Sequence, residues 1–212
     1  MDALQDTSVK YNMRINTKKT KIMRMSTVEG RTMKITVNLE RVKQFCYLGS
    51  LVTEDCRSCH ELRRRIALGK EAFNKKSDLM RGSLSLHLKK RMVKAFVWTV
   101  ALYGSETWTL QKEDIRRLEA FEIWIWRRMI KVPWTEHKTT EKILQMVETE
   151  GVIMDTVRSR QKRSLGHILR HDSLLRITLE GQIHGKKAYG RPRTMLLYWL
   201  LRRRKAILVT KN

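Results

Sequence analysis

Apolar side chains recur every three or four residues along most of the chain after residue 60, a spacing typical of amphipathic helices. Only Pro133 and Pro192 interrupt the chain, and so few prolines favour long helices. We therefore predict a succession of five helices. The side chains predicted to face inward are Leu62, Ile66, Gly69 and Phe73; Leu88, Met92, Phe96, Val100 and Tyr103; Ile115, Leu118, Ile125 and Met129; and Val157, Leu165 and Ile168.

The ends of these helices are predicted from capping and breaking residues. Thr109 is a candidate N-cap for the third helix, and Pro133 is expected to stop it. The fourth helix is predicted over residues 140–150, with Gly151 as its C-terminal stop. The fifth is predicted over residues 153–170.

The N-terminal part of the chain has a different pattern. Alternating apolar residues predict a half-buried strand, preceded by a hairpin turn at 27–31, and a further short strand over 45–52 is expected to lead into a turn at Gly49. The alternating residues are Met33, Ile35, Val37 and Leu39. The fold class is predicted to be mainly α, with a short N-terminal β element, a helical body and a basic C-terminal arm.

The charge balance indicates an anionic partner. Forty-five Lys and Arg residues against 21 Asp and Glu give a net charge of +24. Nucleic acid is the commonest partner for such a chain, an acidic membrane surface is the alternative, and solvated basic faces without a partner are the third interpretation. No stretch approaches the roughly 18 apolar residues that a membrane helix needs. Three cysteines do not form a disulfide framework, so we expect an intracellular location, in the nucleus or cytoplasm.

Basic clusters lie beside the apolar helical faces and suggest a surface that follows a phosphate backbone. They are Lys18-Lys19-Thr20-Lys21, Arg63-Arg64-Arg65, Lys89-Lys90-Arg91, Arg127-Arg128, and Arg158 with Arg160, Lys162 and Arg163. Trp124 and Trp126 flank Ile125, so at helical spacing they cannot both face the core of the protein. Packing in the core or between helices is the favoured interpretation for either one, and a base-stacking platform for one of them is the alternative.

The sequence offers weak signals for bound metal or haem. Cys56-Arg-Ser-Cys59-His60 matches the C-x-x-C-H attachment pattern of c-type haem, and His167 and His171 have the spacing of a helical zinc-ligand pair. Chance cysteines and a partly exposed histidine face are the favoured explanation of both patterns. The seven aspartates are scattered, whereas two-metal catalysis needs carboxylates that converge on ions about 4 Å apart. We therefore predict neither a catalytic residue nor a metal site.

Several motifs carry a family resemblance. In chain order they are Ile15-Asn16-Thr17-Lys18-Lys19-Thr20-Lys21-Ile22-Met23, Phe45-Cys46-Tyr47-Leu48-Gly49-Ser50, Leu102-Tyr103-Gly104-Ser105-Glu106-Thr107-Trp108, Leu165-Gly166-His167-Ile168-Leu169-Arg170 and Gly190-Arg191-Pro192-Arg193. In order and spacing they resemble the C-terminal half of LINE-type, non-long-terminal-repeat retrotransposon reverse transcriptases, over roughly residues 4–194. The resemblance implies an RNA-directed DNA polymerase origin and RNA, DNA or an RNA–DNA hybrid as partner.

The resemblance also implies a division of the chain and roles for individual residues. Lys19 matches the late-palm lysine that assists the pyrophosphate leaving group. The primer grip is matched by Phe45, Tyr47, Leu48 and Gly49, and the basic clusters at 63–65 and 89–91 fall where the family has its thumb. The implied regions are 1–52, a palm remnant with a primer-grip-like segment; 53–132, thumb-like; 133–180, a C-terminal helical region; and 181–212, a basic and poorly ordered arm.

The family's catalytic aspartates match no position of this sequence and are expected upstream of Met1. The Mg²⁺ of the intact enzyme would therefore lack its ligands here, no cofactor is expected, and the missing upstream polymerase half becomes a candidate partner. The predicted function is nucleic-acid binding through phosphates without polymerase activity alone; the alternatives are a non-functional remnant or a basic peripheral membrane protein. The predicted nucleic-acid-binding residues are Lys19, Phe45, Tyr47, Leu48, Gly49, Arg63, Arg64, Arg65, Lys89, Lys90, Arg91, Lys162, Arg163, Arg191 and Arg193.

Overall fold

The computed structural model of the chain describes residues 2–25 and 39–180, and this part is mainly helical with two small sheets. The mainly α fold class is therefore confirmed. The chain divides into two compact units, Met1–Glu61 and Leu62–Asn212. The predicted C-terminal arm, with Arg191 and Arg193, lies outside the described residues, as does most of the strand predicted over 33–39.

The N-terminal unit contains one short helix and two pairs of very short strands. Helix α1 (Asp2–Lys10) was not predicted. Strand β1 (Lys21–Ile22) pairs in parallel with β2 (Glu40–Arg41), and β3 (Gln44–Tyr47) pairs antiparallel with β4 (Ser50–Thr53). The turn between β3 and β4 is formed by two residues that both have positive φ, 47° at Leu48 and 79° at Gly49. This is the backbone conformation of a type I′ hairpin turn, so the predicted turn at Gly49 is confirmed.

The helical unit carries the hydrophobic core. Its helices are α2 (Cys59–Lys75), α3 (Ser77–Arg81), α4 (Leu86–Met92), α5 (Thr99–Ala101), α6 (Lys112–Met129), α7 (Thr140–Met146), α8 (Ile153–Leu169) and α9 (Leu174–Glu180). The inward faces predicted for α2 and α6 are confirmed, because Leu62, Phe73, Leu118, Ile125 and Met129 are all buried in one cluster. No helix in the described part of the chain is both long and apolar enough to cross a membrane.

The inward face predicted for the second helix is wrong. Leu88, Phe96 and Tyr103 are exposed, whereas Val93 and Val97 are fully buried. The segment Val93–Trp98, between α4 and α5, is π-helical. A π turn spans one more residue than an α turn and so rotates the following side chains relative to an ideal helix. The row that contains Val93 and Val97, rather than the predicted row that contains Leu88 and Phe96, therefore enters the core.

Two predicted helix ends are also wrong. The fourth helix ends at Met146, and Gly151 is not its stop. Glu148 has a φ of 51°, and Thr149 N donates to Leu144 O at 3.0 Å. Positive φ just after the helix, together with this bond, is the Schellman motif, which usually uses glycine. At the start of α6 the N-cap is Gln111, not Thr109, and Asp114 completes a capping box with it.

A buried carboxylate joins α6 to the start of α8. Glu122 Oε1 accepts hydrogen bonds from Val152 N at 3.0 Å and Trp126 Nε1 at 3.3 Å, and Oε2 accepts one from Ile153 N at 3.2 Å. Burial raises the pKa of Glu122 above its usual value, although these three hydrogen bonds act in the opposite direction. The carboxylate satisfies two backbone N–H groups at the N-terminus of α8, which have no partner within that helix.

Candidate nucleic-acid interface

The primer-grip-like residues lie on the β3–β4 hairpin with their side chains exposed. Phe45 and Tyr47 are two residues apart on β3, so they project from the same face of the hairpin. Tyr47 is 61% exposed, and Leu48 and Gly49 at the tip are also exposed. The hairpin therefore presents two aromatic side chains and an apolar tip to its surroundings.

Lys19 lies in a tight turn between α1 and β1. Its backbone N–H donates to Asn16 O and also to Asn16 Oδ1, both at 3.1 Å, so the asparagine side chain supports the turn. The side chains of Lys18 and Lys19 are exposed.

The arginine triplet of α2 does not form one cationic surface, because successive helical residues point about 100° apart. Arg63 is exposed, Arg64 is half-buried, and Arg65 is buried with its guanidinium 4.4 Å from the centre of the Tyr103 ring. Arg65 therefore contributes to the packing of the helical unit. Arg63 is the member of this triplet most accessible to a phosphate.

The basic cluster of α4 is divided in the same way. Arg91 is exposed and Lys89 is half-buried. Lys90 Nζ donates to Glu148 O at 2.9 Å, at the end of α7. This lysine therefore satisfies one of the free carbonyl groups at a helix C-terminus.

One cationic cleft lies along α8, and we call it the α8 cleft. It has a volume of about 460 Å³ and is lined by Glu106, Arg160, Arg163, Ser164, His167 and Arg170. The three arginines and His167 are spaced at steps of three and four, so they share one face of the helix and its C-terminal end. Arg163 was predicted as a site residue, and the neighbouring Lys162 is exposed. Three guanidinium groups against one carboxylate make this cleft positive.

A second cationic cleft, which we call the tryptophan cleft, follows the end of α6. Its volume is about 550 Å³, and none of the described residues that line it is a carboxylate. Four cations and two tryptophans do so: Arg81, Arg127, Arg128, Lys131, Trp124 and Trp134. Helix α6 ends at Met129, and Lys131 follows with a φ of 58°. This reversal turns the chain at Pro133 back beside α6.

The two tryptophans of α6 have different environments. Trp126 is buried in the core, with its ring centre 6.4 Å from that of Trp98. Trp124 is half-buried at the wall of the tryptophan cleft. Sequence reasoning identified the Arg127-Arg128 cluster and considered Trp124, but it missed Trp134. The only sequence signal for Trp134 was an aromatic residue directly after Pro133.

The cysteines and histidines form no metal centre in the part of the chain that the structure describes. Cys46, Cys56 and Cys59 are free thiols. The rings of His167 and His171 lie edge to face with their centres 4.8 Å apart. Among the described residues, no group of three or more His, Cys, Asp or Glu is arranged to hold a metal ion.

Comparison of the chain with protein-family models, with curated proteins and with solved structures finds no match.

Proposed function

We propose that the chain binds RNA, DNA or an RNA–DNA hybrid through phosphate contacts, and that it corresponds to the C-terminal part of a LINE-type reverse transcriptase without polymerase activity of its own. The observation that carries this proposal is the lining of the two clefts. Among the described residues, three arginines line the α8 cleft and four cations line the tryptophan cleft, against a single carboxylate, Glu106. The net charge of +24 supports the same conclusion.

The chemistry of these clefts suits a polyphosphate backbone. Guanidinium groups donate paired hydrogen bonds that match phosphate oxygens. No ion pair in the described part of the chain involves Arg163 or Arg170. Such contacts fix the position of a strand and carry little sequence information, so we expect weak sequence preference.

The family resemblance supports a more specific arrangement. The exposed β3–β4 hairpin would contact the end of a primer, as the primer grip does. The helical body would contact the duplex backbone, as a thumb does. Lys19 would lie near the pyrophosphate leaving group once a catalytic half is supplied.

A salt titration of binding tests the proposal. The probe is a fluorescently labelled RNA–DNA hybrid, and the association constant is measured over a range of KCl concentrations. Each phosphate neutralised by a cation releases counterions, so the logarithm of the constant should fall linearly with the logarithm of salt, with a slope of about −0.9 per contact. A slope of magnitude about four or more would agree with the two clefts. A flat dependence would contradict the phosphate mechanism.

The same preparation separates the alternatives. Phosphatidylserine vesicles that hold the chain and are not displaced by excess hybrid would favour a peripheral membrane protein. A chain without a cooperative thermal transition would favour a non-functional remnant. Nucleotide incorporation by the purified chain would contradict the absence of polymerase activity.

A further inference from the structure

The tryptophan cleft contains a buried guanidinium that has no counter-ion among the described residues. Arg127 is 5% exposed, and its Nη1 and Nη2 donate to Lys138 O and Pro133 O, both at 3.0 Å. Its Nε is buried and has no hydrogen-bond partner within residues 2–25 and 39–180. No carboxylate in the described part of the chain lies within ion-pair distance of it. A buried charge without a neighbouring carboxylate adds an uncompensated positive potential to the cleft, which favours an anion at its exposed cations.

Arg127 also fixes the position of Trp134. Its two carbonyl acceptors, Pro133 and Lys138, lie on either side of the short 3₁₀ turn Trp134–Glu136. The guanidinium lies against one face of the Trp134 ring, 4.4 Å from its centre. Trp134 is nevertheless 70% exposed, so the opposite face of the ring is open. A planar apolar surface is therefore held in place beside a set of cations.

Trp124, the other aromatic wall of the cleft, is already occupied on its faces and edges. Arg128 lies 4.6 Å and Lys70 5.3 Å from the centre of its ring. Phe73 packs edge-on at 5.4 Å, and Phe121 stacks against it at 6.2 Å. The open stacking surface of this cleft is consequently Trp134.

We propose that the tryptophan cleft binds one unpaired nucleotide of a single strand, with its base stacked on the open face of Trp134 and its phosphate contacted by Arg128 and Lys131. This inference rests on the nucleic-acid binding proposed above and assigns a preference for single strands to one part of it. The cleft volume of about 550 Å³ lies within the range of about 300–1,000 Å³ typical of small-ligand sites.

A single strand fits this chemistry better than a duplex or a lipid surface. Every base has a π face, but in a duplex both faces are covered by neighbouring bases, so only an unpaired base is free to stack on a side chain. Membrane insertion needs an apolar face, whereas the neighbours of Trp134 in this cleft are mostly cations.

The test compares single-strand and duplex binding in Trp134 variants of the full chain. Probes are a labelled oligothymidylate of about 12 nucleotides and a DNA duplex of the same length, measured by fluorescence anisotropy. Trp134→Ala should weaken oligothymidylate binding about ten-fold and change duplex binding by less than about two-fold. Trp134→Phe keeps an aromatic ring and should restore most of the affinity. Arg116→Gln, on an exposed face of α6, is the charge control and should affect both probes equally.

Quenching of intrinsic fluorescence provides a second readout. Oligothymidylate should quench the tryptophan fluorescence of the wild type more strongly than that of Trp134→Phe, because the variant lacks the stacked tryptophan. Unchanged oligothymidylate affinity in Trp134→Ala, or an equal loss for both probes, would overturn the inference and leave the proposed function intact. A wild type that binds neither probe would overturn both. If Trp134→Ala lost binding to phosphatidylserine vesicles but retained oligothymidylate binding, the inference would be overturned in favour of a lipid site.

Discussion

The two units of this chain differ in the burial of their apolar side chains. Every member of the hydrophobic core cluster lies in the helical unit, from Leu62 to Val157. Among the described residues of the N-terminal unit, only Thr53 and Glu61 are buried. Eight of its large apolar side chains are exposed instead: Leu4, Val9, Tyr11, Met13, Met25, Phe45, Tyr47 and Leu48. The helical unit has the core that stable folding requires, whereas isolated two-stranded pairings are marginal without a packing partner. Apolar residues of the N-terminal unit are therefore available for contact with another molecule.

The largest effect is expected from the polar centre of the helical unit. Glu122→Ala leaves three N–H donors without an acceptor: those of Trp126 and Ile153, which are buried, and that of Val152, which is partly buried. We expect a loss of about 3 kcal/mol in the free energy of unfolding, measured by urea denaturation. Glu119→Ala is the matched control on the same helix, because Glu119 is exposed. Equal stability of the two variants would show that the buried carboxylate does not hold α6 to α8.

A much smaller effect on stability is expected in the N-terminal unit. Tyr47→Ala should change the free energy of unfolding of the helical unit by less than about 0.5 kcal/mol, because Tyr47 belongs to no core. The same variant should weaken binding of an RNA–DNA hybrid that carries a primer end, and Tyr47→Phe should retain it. A large loss of stability with unchanged binding would contradict this account, because Tyr47 would then support the fold rather than contact nucleic acid.

The parts of the fold that were predictable depend on local spacing. The inward face of α2, the extent of α8 and the turn at Gly49 follow from apolar periodicity and from turn chemistry, which act within a few residues. The inward face of α4 and α5 could not be predicted from apolar periodicity. Both Leu88–Phe96 and Val93–Ala101 offer apolar residues at four-residue steps. The choice between these two rows depends on a π turn and on packing against the rest of the core.

The helix ends and the tryptophan cleft depend on contacts that local patterns do not reveal. Glu148 and Lys131 adopt positive φ after their helices, although neither residue is typical there. The tryptophan cleft exists because Arg127 bonds to the carbonyls of Pro133 and Lys138, which are six and eleven residues further along the chain. In sequence, Arg127 is simply one member of a basic pair. Its burial beneath Trp134 is apparent only in three dimensions.

The most direct test of the central claim is whether the cations of the helical unit contact phosphates. The measurement is the slope of log association constant against log salt for an RNA–DNA hybrid, in the wild type and in Arg163→Gln/Arg170→Gln. The control is Arg116→Gln/Arg117→Gln, because Arg116 pairs with Glu113, and Arg117 with Glu113 and Asp114, at the start of α6. Loss of two phosphate contacts should reduce the magnitude of the slope by about two in the α8-cleft variant, and by clearly less in the control. Identical slopes in the wild type and the α8-cleft variant would contradict the account.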